Sequence, residues 1–532
     1  MTVLSQSQQD RQSAITSREA SLVEGPWLIS AAVMLATFME ILDGTVVNVS
    51  LTHIAGSLSA TPNEATWALT SYLVANGIVI PISGWLANRI GRKNLLLVST
   101  GGFTAASLLC GIAPSMGLLV TFRVIQGACG GSLQPMSQAV MLEAFPPKEH
   151  GKAMAIWAMA AIVAPVLGPV LGGWLTDNFS WRWVFYINLP VGLISVIMIK
   201  SFLKDPPYIR RSSARIDSWG LATLVIWVAA LQIMLDKGQE EDWFDSRFIV
   251  VLAVAFVVGL LAWVACELNT RDPVADLRVF RQAPFAAGTI VMALQGFVMY
   301  GSQVTISIWL QTLMGYPSMQ AGVAMVAMGI GAALAMPIAS FLVTRFDPRK
   351  VFVCGVLGFV FSFYRLMGFN LEIGFWDVFW PQFIQGLSLG LVFVPLTVLT
   401  MAFIPRERMG NATSLFNMMR NIGGGVGISI VATMLTRMGQ EHTNLLIANI
   451  TPFSPSAQPL LGGLRGLFAG SGPVWGDQQA YATLFGLVQR EATMVALVRV
   501  FQYLGILSLI LIPLIALTKR PHKGQSSQPL AH

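Results

Sequence analysis

Charge is what this chain has least of. Asp, Glu, Lys and Arg make up 11% of its 532 residues, against roughly a quarter in an ordinary soluble domain. With 54% of residues hydrophobic, that shortage excludes a soluble globular protein. Cysteine is scarce too. Cys110, Cys129, Cys266 and Cys354 lie in or beside apolar runs, at spacings that suit neither a disulfide framework nor a metal site. They read as small core hydrophobes. The five histidines are scattered and form no ligand cluster. No Gly-x-x-x-x-Gly-Lys-Ser/Thr loop occurs, and no soluble stretch is large enough for a nucleotide-binding domain. Direct nucleotide-driven work is therefore excluded, and the lack of any nucleophile–base or metal constellation argues against an enzyme. Residues 1–25 are polar and hold no apolar core, so they are not a cleavable signal peptide.

What is present is a succession of apolar runs, each of the roughly 20 residues a helix needs to cross hydrocarbon. They predict an all-α polytopic membrane protein of about fourteen spans, the first centred near residue 38 and the last near 506. An even number puts both termini on one side. The basic clusters Arg89/Arg92/Lys93, Lys200/Lys204/Arg210/Arg211/Arg215, Arg345/Arg349/Lys350 and Lys519/Arg520/Lys523 all fall on that side. Such an asymmetry marks the cytoplasmic face, so both termini are expected there. The net charge of +7 then orients the chain and meets anionic lipid; it is not a nucleic-acid footprint.

The two halves of the sequence echo each other at an offset of about 259 residues: Ile125-Gln-Gly127 recurs as Ile384-Gln-Gly386, Phe145–Gly151 parallels Ile404–Gly410, and Gly168 lands on Gly427. Gly84–Arg89 faintly matches Ser340–Arg345 in nearly the same register. The plan that follows is two six-helix bundles plus two inserted helices. A tail, 1–25, precedes a bundle at 26–203. A linker with two extra spans, 204–283, leads to a second bundle at 284–518, which includes an outer loop at 437–490, and to a tail at 519–532. Parallel repeats of this kind place a binding site between the halves at the midplane and work by rocking of one half against the other.

Within this plan certain residues carry chemistry. The first span contains Glu40 and Asp43, the two acidic residues placed well inside a span. Charges in hydrocarbon are costly and normally face a cavity or a partner. At 1.5 Å rise per residue the two carboxylates lie about 4.5 Å apart along the helix and can share one cavity. Burial favours the protonated carboxyl, and a close pair titrates together, while a nearby arginine acts the opposite way. Arg123, in Phe-Arg-Val-Ile-Gln-Gly127, is either a buried partner or an end-of-span cation reaching an interface. Arg365 and Arg420 are further charges in apolar runs, and one of them is a candidate partner for Glu40 or Asp43 or an attractor of anionic substrate. Ala164-Pro-Val-Leu-Gly-Pro-Val-Leu-Gly-Gly173 places Pro165 and Pro169 where they bend a helix, and Gly168, Gly172 and Gly173 where they allow close approach. Met292, Phe297, Met299, Tyr300, Trp309 and Phe416 are candidates for an adaptable apolar pocket.

With these motifs on fourteen spans, the chain after residue 25 resembles the drug:proton antiporter branch of the major facilitator superfamily, and most of all EmrB-type multidrug efflux pumps. The resemblance implies the major facilitator fold. It also implies that Gly84, Asn88, Arg89, Gly91 and Arg92 form the loop signature bracing a cytoplasmic gate, although the family often has an aspartate where Asn88 stands. Pro165, Gly168, Pro169, Gly172 and Gly173 match the antiporter motif of exporters, and Trp181–Pro190 matches a run whose aromatics suit an interfacial belt. Arg365 and Arg420 match positions that carry arginine in EmrB-type proteins. Asp43 opens Asp-Gly-Thr-Val-Val-Asn48, similar to the branch's first-helix motif, so it is the expected primary proton carrier, with Arg123 in the coupling. The chain departs from that motif at Ser50-Leu-Thr-His53. Glu40 stands where relatives can carry an uncharged residue, and is expected to tune coupling or recognise cationic drugs. The implied activity is export of hydrophobic or amphipathic drug-like molecules across a bacterial inner membrane. It is driven by the proton gradient without a cofactor. A periplasmic membrane-fusion protein and an outer-membrane channel are the implied partners, with loop 437–490 as a docking surface or lid. A narrow exporter of a siderophore, fatty acid or metabolite is the alternative, and a non-transporting sensor the third reading.

Overall fold

Hydrocarbon offers backbone amides no partner but each other, so every apolar run here closes its hydrogen bonds as a helix. The computed structural model describes residues 26–146, 149–205, 217–270, 272–448 and 457–516. The expected tails, residues 1–25 and 519–532, and the basic residues Arg210, Arg211 and Arg215 lie outside the described residues. Among the described residues there is no β-strand, and fourteen helices are long and apolar enough to span a bilayer.

The first six are α1 (Pro26–Val49), α2 (Pro62–Ile90), α3 (Arg92–Gly111), α4 (Met116–Ala144), α5 (His150–Asn178) and α6 (Asn188–Phe202). Two inserted helices follow, α7 (Ser218–Lys237) and α8 (Arg247–Asn269). The second set is α9 (Ala283–Ile308), α10 (Ser318–Arg345), α11 (Pro348–Met367), α12 (Phe375–Met401), α13 (Met409–Ala448) and α14 (Pro473–Ala516). Their boundaries are chemically marked. Thr61 and Glu64 form a reciprocal capping box at the start of α2, with bonds of 3.2 and 2.7 Å. Asp217 and Asp347 cap α7 and α11. Gly91, at φ +90°, turns α2 into α3 in a backbone region open to glycine, where a side chain would also strike the Asp205 carboxylate.

The sequence repeat is a packing repeat. In the first set α1 packs on α5 and α6, α3 packs on α6, and α4 packs on α2 and α3. In the second set α9 packs on α13 and α14, α11 on α14, and α12 on α10 and α11. Equivalent glycines permit equivalent approaches, since Gly127 of α4 sits against the Tyr72 carbonyl of α2 and Gly386 of α12 against the Met328 carbonyl of α10. The halves meet along α5–α10 and α2–α13, contacts that exchange when the halves are swapped. The inserted pair α7–α8 packs together, and α7 lies against both α2 and α13. There Asp236 accepts from Thr70, Lys237 donates to Thr66 over 2.8 Å, and Trp243, just beyond α7, donates to Thr433 of α13 over 3.0 Å.

One expectation changes in kind. The outer segment 437–490 was expected as a loop with short amphipathic pieces, but its described part is largely helical. α13 continues to Ala448, a separate helix covers Ala457–Leu467, and α14 starts at Pro473. At 1.5 Å rise per residue, α13 and α14 exceed what hydrocarbon alone requires. Leu, Ala, Gln and Arg are good helix formers, so each helix propagates outward from its packed core.

Candidate functional site

Glu40 and Asp43 point into two separate polar networks rather than one cavity. Asp43 and Arg123 form an ion pair at 2.6 Å whose side chains are both 0% exposed. Gln126 and Asn188 donate to the other Asp43 oxygen at 3.0 and 2.7 Å. Arg123 also donates to the Ala68 carbonyl and to Gln126, and its guanidinium carbon lies 4.0 Å from the Tyr72 ring centroid. Arg123 is thus a buried partner and not a cation reaching the interface. Everything that holds Asp43 belongs to the first half, on α4 and α6.

Glu40 accepts from neutral groups: Asn76 at 3.0 Å, Gln134 at 2.7 Å and the Tyr72 hydroxyl at 3.3 Å. Tyr72 therefore stands between the two acids, its hydroxyl on Glu40 and its ring face on Arg123. Gln134 is a relay. Its amide nitrogen serves Glu40 while its oxygen accepts from Arg420 on α13. Arg420 is held over Trp157, 5.6 Å from the ring centroid, and Trp157 stacks on Phe393 of α12 at 5.6 Å. Beside this, Asn417 donates to Gln138 over 2.6 Å. The central seam between the halves is crossed by amides, one arginine and one aromatic stack.

The other candidates divide. Gly168 faces Thr45 of α1 so closely that no side chain fits, and a Cβ on Gly172 would stand 2.8 Å from the Val46 carbonyl. The Pro-Gly run of α5 therefore seats directly on the helix that carries both acids, within three residues of Asp43. Gly173 is looser, its nearest neighbour 4.0 Å away; Pro165 and Pro169 lie inside α5. Arg92 pairs with Glu143 of α4, Arg89 lies over Trp85 at 5.3 Å, and Asn88 is half-buried on the same turn. Gly84 is a point of contact between halves, where a Cβ would lie 2.7 Å from the Asn411 Cα, and the preceding residue, Ser83, bonds Ser414 at 2.8 Å. Across the pseudo-twofold, a Cβ on Gly151 would lie 3.6 Å from the Ser340 Cα. A Cβ on Gly84 would also lie 2.9 Å from the Gly410 carbonyl carbon, and the repeat relates Gly84 to Ser340 and Gly410 to Gly151, so the sequence echo marks two equivalent contacts between the halves at this end of the seam.

Two expectations fail. Arg365 does not reach the centre. It is exposed in the last turn of α11, two residues before the helix ends, where its cation complements the helix terminus. Phe416 is wholly buried in the core rather than lining a pocket. Tyr300 lies with its ring against Gly424, and half-buried Phe297 presents its backbone to Gly427, so both serve the α9–α13 contact.

The sequence reading missed Tyr72, Asn76, Gln134, Gln138, Asn188 and Asn417. For the five amides the signal was available, because amides inside apolar spans are costly unless bonded across helices. Asn188 lay within the aromatic run read as an interfacial anchor. The second half also holds a neutral counterpart of the Asp43 network. At the same offset of about 259 residues, Asp43, Arg123 and Gln126 become Ser302, Gln382 and Gln385. The hydrogen bond Gln126–Asp43 recurs as Gln385–Ser302 at 2.9 Å.

Two six-helix sets related by a repeat, with buried charges where they meet, define a membrane transporter of the alternating-access kind. The chain belongs to the Major Facilitator Superfamily, whose family profile matches residues 33–428. It is 40% identical over 448 residues to the multidrug export protein EmrB of Escherichia coli (strain K12), covering 84% of this chain and 87% of that one. It is 36% identical over 504 residues to the fatty acid resistance protein FarB of Neisseria gonorrhoeae, covering 93% and 97%. The fold is similar to that of the proton:xylose symporter XylE, with a TM-score of 0.57, 13% identity, and coverage of 92% and 96%.

Proposed function

We propose that this chain exports hydrophobic or amphipathic toxic compounds across a bacterial inner membrane in exchange for protons, with both termini cytoplasmic. The observation that carries the coupling is the Glu40–Gln134–Arg420 bridge. Deprotonated Glu40 fixes the Gln134 amide, whose oxygen then faces Arg420 of the other half. A proton on Glu40 removes an acceptor for Gln134 and loosens a tie between the halves. Asp43 already has a cation and two amides; Glu40 has neutral donors alone among the groups bonded to it. The geometry therefore favours Glu40 as the acid that takes the proton in this state. Asp43–Arg123 is then a fixed charge pair held within the first half. Closure at Gly84 and Gly151 corresponds to a sealed cytoplasmic end.

Likeness to a relative named as a multidrug export protein supports the broad substrate class. The FarB likeness, over nearly the whole chain, supports a narrower amphiphile exporter as the second reading. In the outer segment, Leu467 and Trp475 are exposed at 74% and 68%, which suits docking of a periplasmic membrane-fusion protein leading to an outer-membrane channel. Purified protein in proteoliposomes with an internal pH dye tests the coupling. Drug addition should move protons with wild type, and Glu40→Gln should abolish that movement while keeping drug binding. Normal coupled flux with Glu40→Gln would refute the assignment. A resistance panel in a pump-deficient host separates broad from narrow export.

A further inference from the structure

A cavity of about 330 Å³ opens between α5 and α10, at the end of the bundle that carries Arg89 and Arg92. Ile156 and Met159 of α5 face Met336 and Phe341 of α10 across it, with Trp27 of α1 and Lys152 at its edge. Trp27, Met159 and Phe341 are exposed, so the cavity looks sideways out of the bundle, toward the bilayer that surrounds a chain of fourteen spans.

The internal repeat supplies a comparison within the same molecule. Lys152 and Ser340 of this cavity correspond to Asn411 and Gly84 on the α2–α13 side. There the linker between α8 and α9 covers the position. Asp276 donates its amide to the Asn411 side chain and accepts the Asn411 amide in return, both at 3.1 Å. Val274 and Ala275 beside it are buried. Asn411 is 8% exposed, whereas the Lys152 side chain is 54% exposed. The insertion gives the α2–α13 side a cover made of the chain's own apolar residues, and the α5–α10 side stays open.

We propose that the α5–α10 cavity binds the hydrocarbon chain of a single-chain anionic amphiphile that enters from the bilayer, with its head group at Lys152. Size suits one chain: at about 30 Å³ per water-sized group, the space holds roughly ten such groups, about one medium-length hydrocarbon chain. Charge selects the head. The Lys152 ammonium meets Glu149 at 3.0 Å, and an exposed pair of that kind is weak enough for an incoming carboxylate to displace. A lysine in such a lining position can lay its methylenes on apolar surface and keep its ammonium in water. As an entry point for exported substrate the cavity rests on the export reading above; as a binding site it does not.

The full chain in lipid nanodiscs, exposed to a twelve-carbon carboxylate bearing a diazirine, tests the site by photolysis and peptide mapping. Adducts are expected on Ile156–Met159 and Met336–Phe341. They should fall at least five-fold with excess unlabelled carboxylate but not with its methyl ester. Lys152→Gln and the cavity-filling Thr344→Trp, at an exposed wall position, should each lower them comparably; Met159→Trp provides an independent filling variant. Adducts spread evenly over the lipid-facing helices would overturn the proposal. So would adducts at this site formed equally by a diazirine phospholipid and not competed by the carboxylate. Efflux of the same carboxylate is measured separately: its absence alongside specific adducts overturns the export reading and leaves the site standing.

Discussion

Replacing Asp43 with Ser and Arg123 with Gln copies into the first half what the second half already contains, Ser302 and Gln382. Alone, each change strands a charge or a set of donors in a site where both side chains are 0% exposed. Breaking a buried pair by removing one partner costs about 3–5 kcal/mol, much of it from the uncompensated charge left behind. Asp43→Ser leaves the Arg123 guanidinium facing Gln126 and Ala68 with no anion. Arg123→Gln leaves Asp43 with amide donors from Gln126 and Asn188, so its loss should sit at the lower end. The double variant removes both charges together and keeps the Gln126 hydrogen bond in the form seen between Gln385 and Ser302. It should therefore lose only about 1–2 kcal/mol, the scale of a few neutral hydrogen bonds. The interaction energy of the cycle is then several kcal/mol. Unfolding in mixed micelles by added SDS, followed by tryptophan fluorescence, measures all four proteins. In proteoliposomes the double variant should be folded and uncoupled. If the two single losses add to within about 0.5 kcal/mol of the double loss, the residues do not act as a unit, and the charge-pair reasoning is refuted.

Gly172→Val would place its first carbon 2.8 Å from the Val46 carbonyl. It should push α5 from α1, lower stability by about 1–3 kcal/mol as overpacking does, and raise passive proton leak in liposomes; Gly173→Ala, with room to spare, should do neither. In a background without the four native cysteines, Ser83→Cys with Ser414→Cys should cross-link under mild oxidant, because the two hydroxyls are 2.8 Å apart. Transport should stop and return with reductant; free transport through the cross-linked form would show that the ends do not part there. Trp243→Phe removes the hydrogen bond from the inserted segment to Thr433. It should alter the rate of coupled flux with little change in drug affinity, read as separate kcat and KM effects.

The fold was legible because membrane physics is repetitive. A run of about 20 apolar residues has one stable outcome, a spanning helix, and the repeat offset predicted which helices would exchange roles. Glu40, Asp43 and Arg123 were legible for the same reason, since charge in hydrocarbon is anomalous. The pairing was not. Asp43 and Arg123 are 80 residues apart, and nothing local distinguishes that partner from Arg420. Arg365 misled because a hydropathy window cannot tell a helix interior from a last turn. The neutral amides escaped because one Gln or Asn barely lowers the hydropathy of its span. In the folded chain Gln126 and Asn188 join Arg123 around Asp43, while Gln134 stands between Glu40 and Arg420.

The asymmetry between the halves bears on how the one proton site proposed above would serve a symmetric machine. Rocking needs equivalent contacts on both sides of the axis, and Gly84 with Gly410 and Ser340 with Gly151 provide them. Coupling needs a charge whose state one half can sense in the other, and that need is not symmetric. A second ion pair at Ser302 and Gln382 would add another desolvation cost of several kcal/mol per ion without adding a cross-half link, because the counterpart of Asp43 faces its own half. The link runs instead from Glu40 through Gln134 to Arg420, whose counterparts in the repeat, Met299, Phe393 and Ala161, carry neither charge nor amide. An acid on one half, a cation on the other and no second copy of either at the repeat positions is therefore the arrangement that suits the single proton switch proposed above. Restoring charge at Ser302 and Gln382 should add a buried ion pair that leaves the response of coupled flux to Glu40→Gln unchanged.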